Sequence, residues 1–177
     1  MTDLKEYGRA LFLLASEEGT ENKVHEDARV LSEVLNSSPE YIKLLNTPAI
    51  SKEERVGIID GAIGTLDEKL CNLVKLMSDS HLAHKLPYAL LGFFESYDEA
   101  HGITRAEIIS ARPLTDSELS RLKENLEAKT GKTVIVSNKI DPSLLGGAKL
   151  RFMGRELDGA LKTRLDAFEK TLKNTVI

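Results

Sequence analysis

Gly131-Lys132-Thr133 has the ending of a phosphate-binding loop, in which backbone N–H groups and a lysine hold phosphate oxygens. That loop also needs a glycine where this chain has Leu126, and it must lead from a strand into a helix. Here a helical pattern leads into a strand pattern, so Gly131 reads as a helix C-cap. His81 and His84 have a spacing that two metal ligands can share, with Asp79 nearby, but no third strong ligand stands in a fixed frame. They read as loop histidines. Gly146-Gly147 would let a backbone approach an anion, yet a bend or bulge entering a strand is the preferred reading. The single Cys71 excludes an intrachain disulfide and any zinc site built on paired cysteines; beside Leu70 and Leu73 it reads as a buried, inert thiol. Of the paired carboxylates, Glu53-Glu54 suits the positive end of a helix and Glu17-Glu18 a helix end, and neither marks a cleft. No nucleophile–base pair emerges from spacing. No catalytic, cofactor-binding or metal-binding residue is expected.

The elements that would position a site are mostly helices. Asp3 is placed to cap a first helix that closes at Gly19, and Asn22 a second with Val24, Ala28, Leu31 and Leu35 on one face. Ser38-Pro39 opens a short third helix that turns Tyr41, Ile42 and Leu45 inward. Capping boxes at Ser51/Glu54 and Thr65/Glu68 open a fourth and a fifth, and Pro87 sits in the first turn of a sixth that Gly102 closes. After Gly102 the pattern changes. Ile103 to Ala111 is β-compatible, and a third capping box, Thr115/Glu118, starts a helix that buries Leu119, Leu122 and Leu126. Val134, Val136 and Ile140 alternate with polar or outward residues, as do Ala148, Leu150 and Phe152, with Asp141-Pro142-Ser143 and Gly154-Arg155 as turns. A last helix from about Ala160 carries Leu161, Leu165, Phe168 and Leu172 on one stripe. The expected fold is α+β: an N-terminal six-helix bundle over 1–104, then a small α/β domain over 105–177.

Charge follows the same division. Residues 1–105 hold 11 Lys+Arg against 18 Asp+Glu, whereas 106–177 hold 13 against 10, within a total of 177 residues and a net charge of −4. Two units with different partners are expected. The acidic half disfavours the alternative reading, a helical nucleic-acid-associated regulatory protein. Met1-Thr2-Asp3-Leu4 lacks the basic start of a signal peptide. The longest apolar run, Ala10 to Ala15, is far short of the roughly 20 residues of a membrane span.

Surplus apolar surface is the informative feature. The apolar side chains of the first helix span an arc of roughly 200°, against about 100° for an ordinary surface helix. Phe12 and Ala15 face the bundle, leaving Tyr7, Ala10, Leu11 and Leu14 at i, i+3, i+4 and i+7. One reading buries this helix at the centre of the bundle; the other makes it one wall of a groove for another protein's amphipathic helix. Leu76, off the Leu70-Leu73-Val74-Met77 stripe and beside Asn72, would supply the second wall.

Several segments together resemble a known family: Tyr7-Gly8-Arg9-Ala10-Leu11-Phe12, Asn46-Thr47-Pro48-Ala49-Ile50-Ser51, Asn72-Leu73-Val74-Lys75-Leu76-Met77 and Leu86-Pro87. Most specific is Ile140-Asp141-Pro142-Ser143-Leu144-Leu145-Gly146-Gly147, followed by Arg151, Asp158-Gly159 and Thr163-Arg164-Leu165. In order and spacing over the whole chain they resemble the delta subunit of bacterial F-type ATP synthases, in mitochondria the oligomycin-sensitivity-conferring protein. The resemblance implies a non-catalytic stator subunit of the peripheral stalk, on the cytoplasmic face of the cell membrane without inserting into it. It implies that the subunit links the alpha/beta head to the b-subunit stalk so that proton translocation drives ATP synthesis. It implies an N-terminal domain that binds the N-terminal segment of an alpha subunit through helices one and five, here Tyr7, Ala10, Leu11, Leu14, Asn72 and Leu76. The C-terminal domain is expected to hold the C-terminal helices of the b subunits.

Overall fold

The computed structural model describes residues 4–144, 148–152 and 155–159. They form an α+β chain of two compact units, divided between Ala100 and His101. Seven α-helices are present among the described residues, six of them before the first strand. The first unit contains α1 (Lys5–Glu17), α2 (Glu21–Ser37), α3 (Pro39–Leu45), α4 (Lys52–Ile63), α5 (Glu68–Asp79), a 3-10 turn at Ala83–Lys85, and α6 (Leu86–Ala100). The second contains β1 (Ile103–Ser110), α7 (Asp116–Thr130), β2 (Thr133–Ile140), β3 (Ala148–Phe152) and β4 (Arg155–Gly159).

Local signals set most boundaries. Gly19, at φ 66°, closes α1 as the left-handed residue of a Schellman motif: Thr20 N–H donates to Ala15 at 2.8 Å and Gly19 N–H to Ser16 at 3.1 Å. The Ser51/Glu54 and Thr115/Glu118 boxes are both formed. Two caps differ from the expectation. Thr20 rather than Asn22 precedes α2, because the Schellman closure already spends the chain reversal one residue earlier; Asn22 instead accepts a 2.7 Å hydrogen bond from the Tyr97 hydroxyl. Asp67 rather than Thr65 caps α5. Its carboxylate accepts from Lys69 N–H at 3.0 Å, while its own N–H donates to Asp27 on α2 at 2.7 Å. A carboxylate cap tied to a second helix outcompetes a hydroxyl two residues upstream. Asp3, Gly146-Gly147, Gly154 and the helix expected from Ala160 lie outside the described residues.

The first unit packs α1 against α6 at backbone distance. A Cβ added to Gly8 would lie 1.8 Å from the Ala89 carbonyl oxygen, and one added to Gly92 would lie 2.2 Å from that of Lys5. Beside this crossing Phe12 meets Phe93 edge-on at 6.0 Å, and the core continues through Leu31, Leu45, Ile59, Leu70 and Met77.

In the second unit the sheet order is β2-β1-β3-β4, with β1 and β2 parallel and the other pairs antiparallel. A parallel pair needs a crossover, and α7 supplies it, packing Leu122 and Leu126 onto Ala106, Ile108, Val134 and Phe152. Glu107, Arg151 and Glu156 stand in register across three strands and pair at 3.1 and 2.7 Å. Ile140, expected on the inner face with Val134 and Val136, is 49% exposed, because it ends the edge strand beyond the reach of α7.

Two outcomes follow. Gly8→Ala or Gly92→Ala should destabilise the chain by about 3 kcal/mol, since backbone cannot rotate away from a new methyl group. Gly57→Ala and Gly61→Ala, in open positions of α4, should instead stabilise it by ~0.5–1 kcal/mol; urea titration of the four variants checks both signs. Glu118 is held down to about 2 by its hydrogen bond to Arg112, then by the Thr115 backbone N–H. A carboxyl depressed in the folded state stabilises above its unfolded pKa and loses that contribution as pH falls through the folded value. Between about pH 4.5 and pH 2, α7 should therefore lose stability faster in the parent chain than in Glu118→Gln, as followed by circular dichroism.

Candidate functional site

Tyr7, Ala10, Leu11 and Leu14 of α1 and Asn72 and Leu76 of α5 line one cavity of about 260 Å³, together with Lys69 and Leu73. Its lining comes from two facing helices and is largely apolar, which makes it a side-chain groove. Each wall repeats one spacing. Tyr7-Ala10-Leu11-Leu14 and Lys69-Asn72-Leu73-Leu76 are both i, i+3, i+4, i+7, the stripe that a helix turns to one side.

Depth within the groove is uneven. Leu14 is 52% exposed and Leu76 55%, and Ala10 and Asn72 also face solvent. Leu11, placed by spacing on the left-over face, is only 4% exposed and belongs to the core. At about 100° per residue it lies between the α6-facing side of α1, marked by Gly8, Phe12 and Ala15, and the groove side. It is the floor. Leu73 takes the same position on α5. Tyr7 is half-buried against that core.

Three residues of the site and its supports were not singled out in the sequence. Leu73 reads from spacing as part of the core stripe alone. Lys69 does not stand out by apolar spacing, although it stands one turn before Asn72 and Leu73 on the groove stripe; its Nζ pairs with Glu18 at 2.7 Å. Arg55 is 5% exposed, and its guanidinium donates to the carbonyls of Ser78, Thr47 and Ile50 at 3.2, 3.3 and 3.1 Å. It caps the C-terminal end of α5 from α4, where a cation also suits the helix dipole. No signal in the sequence distinguished it from an exposed helix arginine.

The remaining candidates stay apart from the groove. His84 is exposed and shares a 2.8 Å hydrogen bond with Asn46; His81 is exposed at φ 55°. No cluster of three metal-ligating side chains exists among the described residues. Cys71 is buried, its thiol donates to the Ile63 carbonyl at 3.2 Å, and burial pushes its pKa up. Gly131, at φ 66°, is the αL cap of α7. No helix among the described residues is long and apolar enough to cross a membrane.

Fold and cavity together define an α+β protein whose helical unit presents an apolar groove between two helices. Comparison with known proteins is more specific. The family model for the ATP synthase delta (OSCP) subunit matches residues 4–172, and the chain belongs to that family. It is 34% identical to the ATP synthase subunit delta of Beijerinckia indica over 94% of this chain and 90% of that one. It is 31% identical to that of a Geobacillus species over 95% of each. A chain of the Toxoplasma gondii mitochondrial ATP synthase hexamer shares the fold, with a TM-score of 0.73 over 98% of both chains at 17% identity. Subunits of this family are structural parts of ATP synthase rather than catalytic ones.

The floor and the walls separate by stability. Leu11→Asp should lower stability by about 3 kcal/mol or more, because a charge would be buried unpaired. Leu14→Asp and Leu76→Asp should stay within about 0.5 kcal/mol of the parent. Thermal melts of the three variants test this.

Proposed function

We propose that this subunit is the joint between the catalytic head and the peripheral stalk of an F-type ATP synthase. The helical unit holds the N-terminal helix of an alpha subunit, and the second unit holds the C-terminal helices of the b subunits. Anchored at both ends, the subunit resists the torque of the rotor, so that proton translocation is coupled to ATP synthesis. It lies on the cytoplasmic side of the membrane as a peripheral part of the complex.

The observation that carries this reading is the groove itself. Its two i, i+3, i+4, i+7 walls offer an incoming amphipathic helix a strip of apolar contact, which is the usual geometry of helix-in-groove recognition. Leu14 and Leu76 are exposed to solvent, where large apolar side chains grouped together mark interaction surfaces. The hydroxyl of Tyr7 suits a wet rim, and Asn72 can hydrogen-bond a guest backbone and set its register.

Calorimetric titration with a peptide of the alpha N-terminal segment tests it. Leu76→Asp should weaken that peptide at least tenfold without lowering the melting temperature, because the charge is solvated in the free protein and desolvated only in the complex. Undiminished affinity in a folded Leu76→Asp chain would move the alpha contact elsewhere.

A further inference from the structure

One end of the groove is charged. Lys69 is the single ionic side chain among the residues that line the cavity, and it stands in the first turn of α5. Its partner, Glu18, is the residue that follows α1, so the ion pair joins the end of one wall to the start of the other. The two sides of the pair are unequal. The Lys69 side chain is 21% exposed and lines the cavity, whereas the Glu18 side chain is 61% exposed and does not. Asp67 is a second carboxylate near Lys69, at 4.0 Å, and it is committed to capping α5 and to Lys23 at 4.0 Å. The opposite end, between Tyr7 and Leu76, carries no such charge among the lining residues.

A helix laid along the groove must end its apolar strip at Lys69. There it meets a cation whose present counter-ion is held only by a solvent-exposed contact, a kind that contributes little to stability and is readily exchanged. We propose that Lys69 is a specificity-determining residue of the groove: it takes a carboxylate from the guest helix in place of Glu18, and so fixes the guest's register. This rests on the groove reading above. The occupant it selects is an amphipathic helix with an acidic side chain one turn beyond its last apolar anchor. A helix with a basic residue at that point is rejected by Lys69, which supplies the repulsive half of discrimination.

The pair has a rival role as a strut that holds α1 against α5, and the two roles predict opposite signs. If Glu18 competes with the guest, Glu18→Gln frees Lys69 and tightens the alpha N-terminal peptide about threefold or more. If the pair is a strut, the same variant leaves affinity unchanged or weakens it, and the proposal is overturned. Lys69→Met should weaken the peptide about five- to tenfold, and Lys69→Glu further. Peptides with each carboxylate changed singly to the amide complete the test by calorimetry at low salt. One of them should lose about five- to tenfold against the parent chain and nothing against Lys69→Met; a Lys at that position should regain affinity for Lys69→Glu. If no carboxylate couples to Lys69, the assignment fails while the groove stands. If the unmodified peptide does not bind the parent chain at all, the groove reading fails and this inference falls with it.

Discussion

The crossing of α1 and α6 at Gly8 and Gly92 is the contact on which the rest of the helical unit depends. Each glycine lets the other helix's carbonyl approach to a distance that no Cβ would allow. Such an approach admits only one rotation of α1 about its axis. With Gly8, Phe12 and Ala15 turned to α6, the side of α1 roughly a third to a half of a turn away must face outward, and Leu14 and Ala10 stand there. An outward apolar face on α1 is thus a consequence of close packing on the opposite side, not an isolated surface feature.

The second wall is held differently. α5 is fixed at its ends rather than by a backbone crossing. Asp67 caps its first turn while receiving support from α2 through its own N–H, and Arg55 reaches from α4 to the carbonyl of Ser78 in its last turn. Lys52 adds a 2.5 Å contact to Asp79. Burying the Arg55 guanidinium is tolerable because three carbonyls accept from it and Asp79 lies within 3.8 Å. A helix pinned at both ends keeps its middle, Asn72 to Leu76, at a set distance from α1.

What was legible in the sequence follows from the range of the signal. The helix-closing Gly19 and Gly131, the Ser51 and Thr115 boxes and the Pro39 helix start act within four or five residues, and these appear where spacing placed them. Ile108, Leu122 and Val134 likewise show the alternation or helical stripe that their elements require. Contacts that depend on which helix lies opposite were not legible. Spacing grouped Leu11 with Leu14, because three residues apart means adjacent on a helix, but it cannot locate the edge between core and surface. Asp67 does not outrank Thr65 in local sequence, because its supporting group, Asp27, lies forty residues away. Arg55 reads as a surface arginine until α5 is placed against α4. Lys69 is hidden for a different reason: apolar spacing carries no trace of the charge that ends the strip.

Leu11 and Leu73 make the groove inseparable from the core. Each touches both the cavity and the buried cluster, so the floor of the site is also part of what holds α1, α5 and α6 together. Two effects follow from this sharing. A guest seated on the floor stabilises the bundle as a whole, by the ordinary linkage between binding and folding. Conversely, a change at either leucine reaches recognition and stability at once, and no measurement of binding alone can separate them. If a guest helix occupies the groove, variation in partner preference falls to the walls, at Ala10, Leu14, Lys69, Asn72 and Leu76, where side chains meet solvent in the free protein and the core does not depend on their shape. The division assigns shape to the floor and selectivity to the walls, and it arises because both helices present the same i, i+3, i+4, i+7 stripe with its i+4 residue turned inward.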